Sequence, residues 1–185
     1  MTDPQYKAMT GFLRDLGTES VPHTGTAFLA HLVGVYNDLR AWDATTEVCR
    51  AGMFHSIYGT EMFQKFALPL EQRDEVRELI GEHAEFVAWV NCVMDRSTFD
   101  EQLETSPPFS IRNRLTGEWI EMDQEQFTDL CIVHLCDWLE QLPRLKKWDL
   151  HRHRYRFIAE NLGGIALESF DRVYADEPTA PAASV

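Results

Sequence analysis

The spacing of apolar residues is helical along most of the chain and changes to a period near two at one place. Between Thr26 and Arg40, and again over residues 71–94, apolar side chains recur every three or four positions, as in an amphipathic helix. The alternating segment lies between Pro107 and Asp123 and contains a Thr116-Gly117 turn, which predicts a small β-hairpin. The sequence therefore predicts an all-α helical bundle with one small hairpin.

Capping and helix-breaking residues give boundaries in the first half of the chain. A first helix is predicted from Pro4 to Leu16, where Gly17 can take the left-handed conformation that ends a helix. Thr45 or Thr46 caps a short apolar helix that ends at His55. Gly59 and Thr60 predict a break and a fresh helix cap before the segment that ends at Pro69.

The second half of the chain shows similar signals. Asp123 and Gln126 resemble a capping box and open an apolar helix that Pro143 is expected to stop. Residues 147–174 are predicted to form two helices that break at Gly163-Gly164.

Length and composition favour one domain. With 185 residues, 44% of them apolar, the chain can bury a core without disulfide or metal support. We expect a single helical domain over residues 1–176 and a disordered tail over the Pro- and Ala-rich residues 177–185. The cysteines are scattered singly among apolar neighbours, which predicts buried free thiols. They are Cys49, Cys92, Cys131 and Cys136.

The chain shows no apolar run long enough to cross a membrane, and Met1–Thr10 lacks the features of a signal peptide. We therefore expect a cytoplasmic protein with no membrane partner. A net charge of −13 also argues against a nucleic-acid partner. The sequence leaves open whether the chain forms a homodimer.

One segment departs from the acidic balance. Between Arg144 and Arg156 lie six of the chain's 17 Lys and Arg residues, with His151 and His153 among them. Such a segment is either a solvated helix face balanced by acidic neighbours or an edge that binds anions.

Three residues of metal-binding type stand in apolar predicted helices: His31, His55 and Asp137. A buried carboxylate is costly unless it is paired or bound to a cation. Neutral imidazoles together with a carboxylate suit a first-row divalent metal such as Mn or Fe. The alternative is that both histidines are satisfied core residues and that Asp137 pairs locally.

The segments around these residues resemble the HD-domain superfamily and are most similar to the hydrolase domains of bifunctional (p)ppGpp synthetase/hydrolases. They read Gly25-Thr-Ala-Phe-Leu-Ala-His31, Ala51-Gly-Met-Phe-His55-Ser and Val133-His-Leu-Cys-Asp137-Trp-Leu. The resemblance covers about residues 23–142. It implies a helical bundle, metal-dependent phosphohydrolase activity, and His31, His55 and Asp137 as ligands of a divalent metal.

The chain departs from this family at Ser56, where the family has the aspartate of its His-Asp pair. A neutral hydroxyl is a poor metal ligand and cannot bridge two ions as a carboxylate does. Ser56 therefore argues against a two-metal site, although the sequence leaves the number of ions open. Tyr58-Gly-Thr also stands where similar (p)ppGpp hydrolases carry acidic residues, so hydrolysis of that nucleotide is not predicted.

Other residues are candidates by position. HD-like iron oxygenases use further histidines on later helices, which makes His83 a candidate fourth metal ligand; a histidine at that position of an amphipathic helix is otherwise exposed. Tyr58 and Glu61 follow His55 closely enough to supply a proton donor or acceptor. Their alternative roles are a core aromatic residue and an acidic residue in the first turn of a helix.

Four residues are candidates for binding a small-molecule substrate. One precedes the first metal helix, one shares a helix face with Asp137, and two belong to the basic segment. They are His23, His134, Lys147 and Arg152.

The sequence is compatible with three functions. The first is an HD-type phosphohydrolase in which a metal-activated water attacks a phosphoester. The second is a mononuclear non-haem iron oxygenase on an HD-like fold, which the loss of the bridging aspartate at Ser56 favours. The third is a metal-free HD-like module that binds a small molecule or another protein.

Overall fold

The computed structural model describes residues 3–178. In this part of the chain the protein is mostly helical, with nine α-helices and two two-stranded antiparallel sheets. The prediction of a mostly helical fold with a hairpin is confirmed, and the second small sheet was not predicted. Most of the predicted disordered tail, residues 179–185, lies outside the described residues.

The helices and strands have the following bounds. The helices are α1 Tyr6–Asp15, α2 Phe28–Ala41, α3 Thr46–Phe54, α4 Arg73–Ile80, α5 Glu82–Val93, α6 Arg96–Gln102, α7 Gln124–Leu145, α8 Arg152–Leu162 and α9 Gly164–Ala175. The strands are β1 Pro22–His23, β2 Thr26–Ala27, β3 Phe109–Arg112 and β4 Trp119–Met122, with β1 paired to β2 and β3 to β4.

Capping residues act where the sequence predicts them. The Thr45 side chain accepts a hydrogen bond from the Val48 backbone N–H at 3.2 Å and begins α3. Asp123 and Gln126 form a reciprocal capping box that begins α7. These caps satisfy backbone donors that have no partner within the first turn of a helix.

The segment from residue 60 to 69 is not helical, contrary to the prediction. Thr60 Oγ1 accepts a hydrogen bond from the Phe63 backbone N–H at 3.0 Å, but residues 60–69 do not continue into a helix. The rings of Phe63 and Phe66 pack against Phe28, with centroids 4.7 and 5.7 Å away. Packing onto α2 thus overrides the local helical signal.

Three further boundaries differ from the prediction. Gly81, with φ of 96°, divides the expected long helix into α4 and α5. Helix α7 continues through Pro143 to Leu145 and is followed by Lys146 in the left-handed conformation. Pro143 lies in the last turn, so the hydrogen bond lost at its nitrogen leaves the earlier turns intact, and the Lys146 N–H still bonds the Leu142 carbonyl. Helix α6 was not predicted at all.

Helices α2, α3 and α7 pack on one another, and α5 packs against α3 and α7. Their inward faces belong to one cluster of buried apolar side chains, in which all four cysteines lie as predicted free thiols. Among residues 3–178, no helix is long and apolar enough to cross a membrane.

Gly52 sets the spacing between α2 and α3. A Cβ at this position would lie 2.2 Å from Leu39 Cδ1 and 3.2 Å from Val35 Cγ1. We expect Gly52→Ala to lower the free energy of unfolding by about 1–3 kcal/mol, since the buried methyl forces the helices apart. Chemical denaturation measures the change.

Gly11 in α1 is the matched control, because a Cβ there meets no atom within 4 Å. Gly11→Ala should raise stability by about 0.5–1 kcal/mol through the higher helix propensity of alanine. Equal stabilities of the two variants would contradict this account of the packing of α2 on α3.

Candidate metal centre

Three helices bring His31, His55 and Asp137 together in the interior. His31 lies on α2, His55 follows the last residue of α3, and Asp137 lies on α7. The Nε2 atoms of the two histidines are 3.3 Å apart. Asp137 Oδ1 lies 3.1 Å from Nε2 of His31 and 3.2 Å from Nε2 of His55. All three residues are buried.

This triangle of atoms has the size that one metal ion requires. An ion about 2.1 Å from each ligand separates neighbouring ligands by about 3.0 Å in octahedral and about 3.4 Å in tetrahedral coordination. The three observed separations fall between these values. Within residues 3–178, no other group of three or more His, Cys, Asp or Glu side chains is close enough to share an ion.

The His31 ring is oriented by α7. Its Nδ1 lies 2.5 Å from Glu140 Oε2, so this N–H donates to the carboxylate, and Arg144 Nη2 donates to the same oxygen at 2.6 Å. Gly34 makes the approach possible, because a Cβ there would lie 2.6 Å from Glu140 Oε1. This contact fixes a proton on Nδ1, so loss of the second proton from Nε2 would leave a neutral ring whose Nε2 lone pair faces the centre and can bind an ion.

The His55 ring is oriented by the helix that precedes it. Its Nδ1–H donates to the backbone carbonyl of Gly52 at 2.7 Å, so Nε2 again faces the centre. The Asn91 side chain on α5 donates to the backbone carbonyl of His55 at 2.8 Å, and Cys92 Sγ lies 3.1 Å from the same oxygen. Both the ring and the backbone of His55 are therefore held in place.

The centre stabilises positive charge beside the buried carboxylate. Burial raises the pKa of Asp137, but the charge of His55 and the hydrogen bonds with both histidines lower it well below 3.8. Burial lowers the pKa of His31, but hydrogen bonds with Asp137 and Glu140 outweigh it and raise the pKa to about 9. Attraction between opposite charges thus outweighs the cost of burying them.

An open cleft of about 300 Å³ lies against Asp137. Among the described residues that line it, Asp137 is the one acidic side chain, whereas Lys65, Arg96 and Lys147 are cationic. Ser56 lies in the same lining. Although the whole chain carries a net charge of −13, this cleft is suited to an anion.

The basic segment between Arg144 and Arg156 is largely neutralised by acidic partners. The ion pairs are Arg144 with Glu140, Arg152 with Asp149 and Glu177, Arg154 with Asp100, and Arg156 with Glu160 and Asp171. The balanced helix face is therefore the better description of these arginines. Of the segment's six Lys and Arg residues, only Lys147 lines the cleft.

The expected substrate-binding role of Arg152 is corrected by its position. Its guanidinium pairs with Glu177 at 2.5 Å and lies over the Tyr174 ring, 4.9 Å from the centroid, away from the cleft lining.

His23 and His134 both lie close to the centre, in different positions. The His23 ring stacks on His31 with centroids 4.2 Å apart, and it lines the cleft. Burial, together with the nearby charge of His31, lowers the pKa of His23 to about 4. His134 is fully buried behind the cleft, where Nδ1 lies 3.3 Å from Asn91 Oδ1 and Nε2 lies 3.4 Å from the Tyr155 hydroxyl. It therefore supports the wall and does not line the cleft.

Tyr58 and His83 are not at the centre, so their expected roles are corrected. The buried Tyr58 hydroxyl donates to Glu85 Oε1 at 3.0 Å, beside the ion pair that Glu85 forms with Arg73. His83 Nε2 lies 2.7 Å from Asp129 Oδ2, and His83 is not part of the ligand group.

Glu61 is exposed and accepts a hydrogen bond from the Arg96 backbone N–H at 3.3 Å. Its carboxylate is outside the cleft lining, so the structure does not bring it to the ligand group as the expected acid or base.

Several residues of the centre were missed from the sequence. Glu140 lies three residues after Asp137, a spacing that places both on one helix face and could have revealed it. Gln141, four residues after Asp137, donates to Asp137 Oδ1 at 3.0 Å. Arg96 and Lys65 had no such signal, because each is a single cation that the fold alone brings to the cleft.

Comparison with known proteins gives one similarity. Residues 12–96 match the family model of a domain of unknown function, DUF6817. The match covers less than half of the chain, includes His31 and His55, and ends before α7, which carries Asp137. No curated protein and no solved structure matches the chain.

Asn91 links His55 to the wall of the centre, and its replacement tests that link. We expect Asn91→Ala to lower the free energy of unfolding by about 1–3 kcal/mol, because the buried His55 carbonyl and His134 Nδ1 each lose a partner. Urea denaturation measures the change. The control is Asn37→Ala on the exposed face of α2, which should change stability by about 0.5 kcal/mol or less. Similar losses in the two variants would refute the link.

Proposed function

We propose that this protein is a metal-dependent phosphohydrolase of HD type that acts on a small phosphorylated or nucleotide-like substrate. One observation carries the proposal: His31, His55 and Asp137 converge beside a cleft whose other charged side chains are cationic. Two histidines and a carboxylate suit Mn(II) or Fe(II). Cationic side chains beside them suit a phosphate group.

The order of the helices supports the HD-type part of the proposal. The first histidine lies on a long helix, the second ends a short apolar helix, and the aspartate lies on a distant helix that packs on both. This is the order that the sequence resemblance implies. Ser56 replaces the family's second aspartate and lines the cleft, which favours a single ion.

The side chains around the centre have separable roles in this proposal. Glu140 and the Gly52 carbonyl hold the two imidazoles in the tautomer that directs Nε2 to the centre. A divalent ion held there would lower the pKa of a bound water and supply a nucleophile at neutral pH.

Hydrolysis consumes one water. The water oxygen forms a bond to phosphorus as the ester P–O bond breaks; one water proton stays with the phosphate and the other leaves with the alcohol. The cations of the cleft stabilise the negative charge on the phosphate oxygens.

A mononuclear non-haem iron oxygenase is the second candidate. The observation that favours it is the ligand set itself, because two histidines and one carboxylate with no second carboxylate at Ser56 also suit Fe(II) oxygen chemistry. Metal identity and oxygen uptake separate the two candidates.

Metal content tests the centre directly. Protein purified without added metal or chelator should carry about one Mn or Fe per chain, and Asp137→Asn should carry none, because the neutral amide removes the anionic ligand. His83→Gln is the matched control, since His83 pairs with Asp129, and it should keep its metal. Elemental analysis measures all three proteins.

Each other outcome has a defined meaning. A native protein that stays metal-free after reconstitution with Mn(II) and Fe(II) refutes both catalytic functions and leaves the small-molecule-binding module. A loaded protein that consumes oxygen but releases no phosphate from a panel of phosphate esters refutes the hydrolase in favour of the oxygenase.

Glu140 should raise the metal affinity of the centre without binding the metal itself. Glu140→Gln keeps the shape of the side chain but removes the negative charge opposite His31 Nδ1. We expect metal affinity to fall about 10–100-fold, measured by competition with a chromogenic chelator. Glu160→Gln, which affects only an exposed pair with Arg156, is the control and should leave affinity unchanged. Equal affinities would show that Glu140 does not orient His31.

A further inference from the structure

Arg96 has an unsatisfied donor in the wall of the cleft. Its Nε is buried without a hydrogen-bond partner in the described chain, and the residue lines the cleft together with Asp137. A buried guanidinium donor without a partner is costly. The Arg96 guanidinium forms no hydrogen bond or ion pair among residues 3–178, so it can bind an anion that enters the cleft.

The cations of the cleft differ from the other basic residues nearby. Lys65, Arg96 and Lys147 form no ion pair among residues 3–178, whereas Arg144, Arg152, Arg154 and Arg156 all do. The arginines of the basic segment are neutralised by carboxylates, and the three cleft cations are not. Their charge is available to a ligand.

Exposed apolar side chains also line the same cleft. Met62 is 73% exposed and Leu150 is 38% exposed, and both line the cleft. Phe63 and Trp138 extend this surface inward. Single exposed apolar residues need no explanation, but two of them in the lining of a cationic cleft form a surface beside the place where an anion would bind.

We propose that Arg96 is the phosphate-binding residue of this cleft and that the apolar part of the same ligand packs on Met62 and Leu150. The ligand class is then an organic phosphate whose organic group is apolar or aromatic. The inference deepens the proposed function and rests on it for the reaction, although binding itself requires no reaction.

Two phosphonates test the inference, because their C–P bond resists hydrolysis and they share one anionic group. Phenylphosphonate and methylphosphonate are titrated into the full-length protein by calorimetry. Both should bind, with the phenyl compound several-fold tighter because its ring is removed from water. Arg96→Gln should weaken both at least tenfold through loss of charge-assisted hydrogen bonds.

Matched variants separate the two parts of the cleft. Met62→Ser should remove most of the preference for phenylphosphonate and leave methylphosphonate binding unchanged, whereas Leu115→Ser, which is exposed outside the cleft, should match the native protein. Arg152→Gln should bind both compounds as the native protein does. If Arg96→Gln fails to fold, Arg96→Lys, which keeps the charge but loses the planar pair of donors, should show an intermediate loss.

The results that would overturn the inference are distinct from failure of the proposed function. No phosphonate binding by the native protein, or native affinity in both Arg96 variants, refutes Arg96 as the phosphate residue. Equal affinity for the two phosphonates refutes the apolar subsite. If metal content and phosphate release match the proposed function while Arg96→Gln binds normally, only the inference fails. If the native protein holds no metal yet loses phosphonate binding in Arg96→Gln, the proposed function fails and the inference stands.

Discussion

Asp137 carries a carboxylate into the packed interior, and the surrounding structure compensates its charge. An isolated buried carboxylate would be strongly destabilising. Two imidazole nitrogens within 3.2 Å of Oδ1, and the Gln141 amide at 3.0 Å, provide the compensation. Helices α2, α3 and α7 must therefore pack so that these groups meet.

Contacts around the three ligands hold the two histidines in place in different ways. Arg144, Glu140 and His31 form a line of charged and polar groups on one side, while a backbone carbonyl and a buried asparagine hold His55 on the other. Two glycines, Gly34 and Gly52, allow the close approaches that this requires. Small residues in α2 and α3 are thus as much a part of the centre as its polar side chains.

Local sequence patterns predicted several helices and part of the candidate site. Periodicity located α2 and α7, the caps at Thr45 and Asp123 fixed two helix starts, and the apolar surroundings of His31 and Asp137 marked them as unusual. It failed where tertiary contacts decide: residues 60–69 pack as a loop, and Arg96 reaches the cleft only through the fold. His83 was a candidate ligand by its position in the sequence, but in the structure its side chain pairs with Asp129.

The two histidines differ in how far along the chain their supports lie. His55 is oriented by a carbonyl three residues earlier, whereas His31 depends on Glu140, 109 positions later. During synthesis, α2 and α3 therefore emerge long before the helix that completes the centre, and the contact between His31 and Glu140 can form only after α7 has been made. A cation that binds the finished triad stabilises only the fully docked chain. A newly made molecule would then gain the free energy of ion binding only after α7 has docked.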